Sequence, residues 1–170
     1  KRMRGGSLLD LTCGLGMDAV AMAERFERVV AVERDEVLAD VVRENLRRMG
    51  VENVEVVTAS AEEYVSSCEE HFDWVYADPD RRTAEGKRVV RLEDCSPNMV
   101  ALYPALGRIT ERVAIKNSPL FDVEEAFRLF GDCTVEVLSL AGECKEVNIY
   151  IDGRGARIVA EAVGRERVEY

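Results

Sequence analysis

The chain has 170 residues, 47% apolar and 33% charged, with a formal net charge of −10. That length suits one domain, 1–170, able to bury roughly 70% of the surface its unfolded chain exposes. The acidity argues against a nucleic-acid binder working through a wholly basic surface, and no run nears the roughly 18 apolar residues of a membrane span. Short apolar runs alternate with helical patterns from end to end, which predicts an α/β fold built on a mostly parallel sheet. Strands are expected at 8–11, 29–33, 54–58, 74–78, 112–116, 135–140 and 147–151.

The first strand runs into Leu9-Asp10-Leu11-Thr12-Cys13-Gly14-Leu15-Gly16-Met17-Asp18. Glycines at i and i+2 let the backbone turn sharply and approach a ligand closely, because neither carries a Cβ. A helix with Val20, Ala21 and Ala23 follows, and the second strand ends on Glu33. Asp10 and Glu33 therefore close two apolar runs with carboxylates. The first suits a cationic amino group and the second suits both ribose hydroxyls, a pair that favours S-adenosylmethionine (SAM) over a pyrophosphate. Gly14, Gly16, Thr12, Asp18 and Arg34 complete this part of the candidate cofactor set. Gly14-x-Gly16-x-x-Ala19, with Glu33 downstream, also satisfies the looser dinucleotide fingerprint, so a nicotinamide oxidoreductase stays open as the rival.

The next helix carries Val37, Leu38, Val41, Val42 and Leu46 at helical spacing and stops at Gly50, where a left-handed cap is expected. After the third strand, Ser60 and Ala61 are candidates to read adenine, and Ser60 with Glu63 alternatively forms a helix capping box. The fourth strand delivers Asp78 and Pro79 to the carboxyl end of the sheet, the edge where open α/β sheets bind ligands. Asp78 is expected to orient an acceptor amine and also belongs to the candidate cofactor-binding set. Arg81 offers a guanidinium able to stack on a base, and Arg82 a contact to substrate. The plain alternative is a strand-end turn with exposed arginines. Arg81, Arg82, Lys87, Arg88 and Arg91 lie among Asp80, Glu85, Glu93 and Asp94, which reads as a local basic rim or as a solvated loop of mixed charge.

Lys116-Asn117-Ser118-Pro119 follows the fifth strand. It either lines the substrate pocket, with Lys116 on a phosphate and Asn117 on a base edge, or is only a polar turn. Asp122 is the expected N-cap of a helix over 123–130. The last two strands flank Ala141-Gly142-Glu143, a connection too short for a parallel crossover, so one of them runs antiparallel. Residues 158–163 are a candidate further edge strand. Cys13, Cys68, Cys95, Cys133 and Cys144 are odd in number, widely spaced and free of any C-x-x-C pair, which argues against a disulfide framework or a metal site and for a reducing cytoplasm. Cys13 has no nearby base in sequence, the single histidine being His71, so covalent catalysis is not expected. The chain opens on Lys1 without a signal peptide, the pattern of a piece of a longer protein.

A parallel sheet ending in an antiparallel hairpin resembles the Rossmann-like class I SAM-dependent methyltransferases, whose sheet has seven strands. Asp78-Pro79 is similar to the start of the Asp-Pro-Pro-Tyr motif of amino-group methyltransferases, with Asp80 in place of the second proline and Arg81 in place of the aromatic residue. Together with 10–18, Arg91-Leu-Glu-Asp-Cys-Ser-Pro97, Lys116-Asn-Ser-Pro119 and Glu143-Cys-Lys-Glu146, these segments resemble the THUMP-like methyltransferases across most of the chain. The glycine segment is also similar to ribosomal RNA guanine-N2 methyltransferases. These resemblances imply SAM as cofactor, Asp78, Pro79 and Arg81 as catalytic residues, and RNA as the default substrate. They leave a SAM-binding module reliant on a partner and a small-molecule methyltransferase as alternatives. Where that family usually reads Asp-Pro-Ala-Arg-Arg, Asp80 adds a negative charge.

Overall fold

The computed structural model describes residues 2–82, 86, 89, 91–164 and 167–169. The chain divides into two compact units, Lys1–Ala77 with Pro104–Thr110, and Asp78–Tyr103 with Glu111–Tyr170. Among the described residues no helix is long and apolar enough to cross a membrane.

The first unit alternates strand and helix: β1 Gly5–Asp10, α1 Met17–Ala23, β2 Phe26–Glu33, α2 Glu36–Met49, β3 Val54–Thr58, α3 Ala61–Ser67 and β4 Trp74–Ala77. Its strands are all parallel in the order β3-β2-β1-β4, with Asp10 opposite Ala31 on one side and Tyr76 on the other. Leu8, Leu9, Val29, Val30 and Val75 have no exposed surface, because a parallel sheet sandwiched by crossover helices is buried on both faces. Helix α2 is bounded at both ends as its sequence predicts. The Asp35 carboxylate accepts the Leu38 N–H at 3.0 Å, and Gly50 takes φ +69° at the C-terminal end.

The second unit holds most of α4 (Met99–Leu106), then β5 Val113–Asn117, α5 Val123–Phe130, β6 Thr134–Leu140, β7 Glu143–Ile151, β8 Arg157–Ala162 and β9 Arg167–Glu169. Asp122 caps α5 by accepting the Glu124 N–H at 2.9 Å. Strand order is β5-β7-β6-β8-β9. β7 runs antiparallel to both β5 and β6, while β8 lies parallel to β6 and β9 antiparallel to β8. Ala141 and Gly142 turn β6 into β7 at φ +54° and +86°, the two left-handed residues a tight hairpin needs.

The α/β Rossmann-like fold with antiparallel strands toward the C-terminus is thus as expected, but the seven strands become nine among the described residues. The candidate edge strand at 158–163 is β8, and β9 pairs beyond it through only three residues. β7 begins four residues before its apolar stretch, because pairing with β6, not burial, carries Glu143-Cys-Lys-Glu146 into the ladder.

Candidate active site

In the first unit the candidate cofactor residues converge on the turn between β1 and α1. Asp10 ends β1 with no exposed surface, and its Oδ1 accepts the Thr12 N–H at 2.9 Å and the Thr12 hydroxyl at 3.3 Å. Its carboxylate thus bonds the turn's own backbone at Thr12. Glu33, at the end of β2, joins the same turn from the side: Oε2 accepts the Gly14 N–H at 2.8 Å and Oε1 the Asp35 N–H at 2.9 Å. The two glycines differ. A Cβ on Gly14 meets nothing closer than Thr12 O at 3.9 Å, whereas one on Gly16 falls 2.8 Å from Val42 Cγ1. Gly14 keeps the turn's face open; Gly16 lets α1 seat against α2.

Asp18, in the first turn of α1, accepts a hydrogen bond from the Tyr76 hydroxyl at 2.7 Å. Sequence reasoning missed Tyr76, whose only sequence signal was its place in the β4 run. Arg34 is exposed. Ser60 forms the capping box of α3, its Oγ donating to Glu63 Oε2 at 2.8 Å and accepting the Glu63 N–H at 3.2 Å, and Ala61 is buried behind it. These bonds hold the Glu63 carboxyl below its usual range, the Ser60 backbone N–H having the largest effect. Cys13, in the turn, is pushed up to about 12 by burial first and by Asp10 and Glu33 next, so its thiol stays protonated and unreactive.

These residues fit SAM better than a dinucleotide. In a dinucleotide fold the turn's N–H groups and the helix start receive the pyrophosphate, but here the Gly14 N–H is given to Glu33. Two carboxylates bonded to the turn's own backbone repel a diphosphate and attract the cationic amino and sulfonium groups of SAM.

In the second unit Asp78 directly follows β4 in the chain, and the Lys116 ammonium of β5 lies 2.8 Å from its Oδ2, both side chains about a quarter exposed (27% and 26%). Asp78, Pro79, Asp80, Arg81, Arg82 and Gly86 line an open cleft of about 650 Å³. The backbone there is pinned: the Asp80 N–H donates to Ser96 O at 2.7 Å, the Ser96 N–H returns a bond to Asp80 O at 3.0 Å, and the Val89 N–H donates to Arg81 O at 2.8 Å. Lys116, read from the sequence as either a phosphate contact or part of a polar turn, thus pairs with a carboxylate. Asn117 is buried at 5% exposure with its Nδ2 donating to Ile115 O at 3.2 Å, so it supports its own strand instead of standing at a base edge. Of the expected basic rim, Arg81, Arg82 and Arg91 are described, and Arg91 reaches Glu93 at 3.1 Å; Lys87 and Arg88 lie outside the described residues.

Residues 8–83 match the methyltransferase domain family. The chain is 33% identical to the ribosomal RNA small subunit methyltransferase J of Coxiella burnetii, over 67% of this chain and 51% of that protein. It is 30% identical to an uncharacterised S-adenosylmethionine-dependent methyltransferase of Mycobacterium tuberculosis, over 90% of this chain and 40% of that one. The solved structure of a protein assigned as a methyltransferase from Porphyromonas gingivalis W83 superimposes with a TM-score of 0.80 at 26% identity, covering 98% of this chain and 44% of that one. The chain spans about half, or less, of the length of the curated relatives it matches. Residues 8–83 thus carry the match to a methyltransferase domain, and the chain has the Rossmann-like fold of the solved methyltransferase structure it superimposes on.

Proposed function

We propose that this chain is the SAM-binding and catalytic part of an RNA methyltransferase that modifies a base at an exocyclic amine. The observation that carries the reading is the Asp78 carboxylate, held by Lys116 and lining a polar cleft together with Arg81 and Arg82. An anion in the lining orients an amine, and guanidinium groups in the same cleft offer a stacking plane and a phosphate contact. The THUMP-like resemblance and the ribosomal RNA methyltransferase among the relatives favour RNA.

Bound SAM supplies a methyl group already activated on a sulfonium. The protein's task is then alignment, since holding donor and acceptor within about 3–3.5 Å provides much of the acceleration. Asp10 and Glu33 shape the turn and set its negative field. Glu33 keeps lone pairs for ribose hydroxyls, while Gly14 leaves room for the methionine portion. Thr12, Asp18, Arg34, Ser60 and Ala61 border this pocket. Asp78 accepts a hydrogen bond from the acceptor N–H, aims the nitrogen lone pair and stabilises the positive charge that develops there before the proton leaves to water. Pro79 stiffens the backbone at that point, and Arg81 stacks on the base while Arg82 contacts its backbone.

A second reading, a SAM-binding module completed by a partner, draws on the net charge of −10 and on the half-length match to the relatives. Calorimetry with S-adenosylhomocysteine (SAH) and with NAD, followed by tritiated methyl uptake into bacterial ribosomal and transfer RNA, tests both. SAH binding with RNA labelling supports the enzyme. SAH binding without labelling favours the partner-dependent module, and binding of NAD alone refutes both.

A further inference from the structure

The motif Glu143-Cys-Lys-Glu146 finds no place in the chemistry above, yet its last residue lies two positions along β7 from Asn148, the residue paired with Lys116. β5 and β7 are antiparallel with Lys116 opposite Asn148, and β6 places Glu136 opposite Asn148 from the other side. Side chains alternate along a strand, so Lys116, Asn148 and Glu136 form one row across a face that Glu146 and Tyr150 share at two residues' distance. The intervening Val147 and Ile149, on the opposite face, are 2% and 0% exposed.

This row is polar although it is largely buried, with Asn148 at 9%, Glu136 at 8% and Tyr150 at 8% exposure. Buried polar groups are costly unless bonded, and here they are: Asn148 Nδ2 donates to Glu146 Oε1 at 3.0 Å, and the Tyr150 hydroxyl donates to Glu136 Oε2 at 3.1 Å. The first bond decides the orientation of the Asn148 amide. With its NH2 turned to Glu146, the acceptor it retains is its carbonyl oxygen, which matches an ammonium carrying three donors. Lys116 is thus the cation on a face that also holds Glu146 and Glu136, with the Asp78 carboxylate as its ion-pair partner.

We propose that Asn148 and Glu146 are positioning residues that hold the Lys116 ammonium from the neighbouring strand, so that Lys116 in turn fixes the Asp78 carboxylate. The proposal rests on the reading of Asp78 as the residue that orients the acceptor amine. It gives the Glu143-Cys-Lys-Glu146 segment a task carried by Glu146, with Lys145 and Glu143 paired to each other at 2.6 Å on exposed positions. A relay of this kind matters because small displacements of an orienting group cost rate steeply.

The test uses the full chain labelled with ¹⁵N and reads the side-chain ammonium ¹H–¹⁵N signal of Lys116 at pH 6, identified by its disappearance in K116R. Only an ammonium shielded from exchange with water gives a sharp signal. The wild type shows it, K145A retains it, and D78A, N148A and E146A each broaden it by at least threefold while CD confirms that they are folded. In parallel, N148A and E146A lower kcat for methyl transfer to ribosomal RNA about tenfold with KM for SAM within twofold, and K116R recovers part of the activity lost in K116M. An unchanged Lys116 signal in N148A and E146A, or its absence from the wild type, overturns the relay. A wild type that methylates no RNA defeats the functional reading instead, and the ammonium signal still decides whether the relay exists.

Discussion

Replacing Gly16 with alanine tests whether the second glycine of the turn serves helix packing. Gly16 sits at φ +81°, where an L residue costs about 1–2 kcal/mol. A Cβ there also falls 2.8 Å from Val42 Cγ1 and 3.6 Å from Cγ2. Val42 is 1% exposed in the middle of α2, and a β-branched side chain in a helix has essentially one rotamer, so it cannot swing aside. Overpacking of this kind adds about 1–3 kcal/mol, giving a total of about 2–5 kcal/mol. For a chain of this size that lowers Tm by on the order of 10 °C. Gly14→Ala, with φ +54° and nothing nearer than 3.9 Å, carries only the backbone part, about 1–2 kcal/mol. Urea unfolding followed by CD compares the two, and Val42→Ala in the Gly16→Ala background measures the steric share as a coupling. Equal losses for Gly14→Ala and Gly16→Ala, or strict additivity in the double variant, would refute the packing argument.

Asp78→Ala removes methyl transfer to RNA and leaves SAH affinity within about threefold, roughly 0.7 kcal/mol; a variant with full turnover excludes Asp78 from the reaction. Ser60→Ala costs about 1 kcal/mol in thermal unfolding through loss of the capping box. A marked loss of SAH affinity beside it makes Ser60 a direct cofactor contact as well as a cap, and a level affinity confines it to the cap. Ala141→Asn supplies the residue a tight hairpin prefers at φ +54° and stabilises by about 0.5–1 kcal/mol; a lower denaturation midpoint contradicts the turn assignment. The Cys13 thiol rises from 9.0 to about 12 on folding, so its contribution to stability is present below pH 9 and is lost as pH climbs toward 12. Stability should fall across that window, less so in Cys13→Ala, and at pH 8 a thiol reagent should modify the exposed Cys144 well before Cys13; early modification of Cys13 would disprove its burial.

The features readable in the chain were those dictated locally. Strand cores declared themselves as apolar runs, Gly50 and Asp122 marked helix ends, and Ala141-Gly142 forced a hairpin. Helix α4 escaped because its apolar residues show no clear period and Pro104 lies inside it. β9 escaped because three residues leave too little pattern to read. The site was legible as a set of residues but not as a set of bonds. Asp78 and Lys116 are 38 positions apart in sequence (116 − 78), and only the fold pairs them. Glu33 stood out by its strand-end position, but its bond to the Gly14 N–H depends on the β1–β2 register.

The place of β7 between β5 and β6 has a consequence for how the chain matures on the ribosome. β5 and β6 are synthesised first and neither can complete its ladder until 143–151 has emerged, because that strand is the partner of both. Until then the nascent chain presents two open edges, Val113–Asn117 and Thr134–Leu140, rich in branched apolar residues of the kind that recruit other chains. A premature stop between Leu140 and Val147 would therefore yield a fragment with both edges open, a window that closes only as β7 is made.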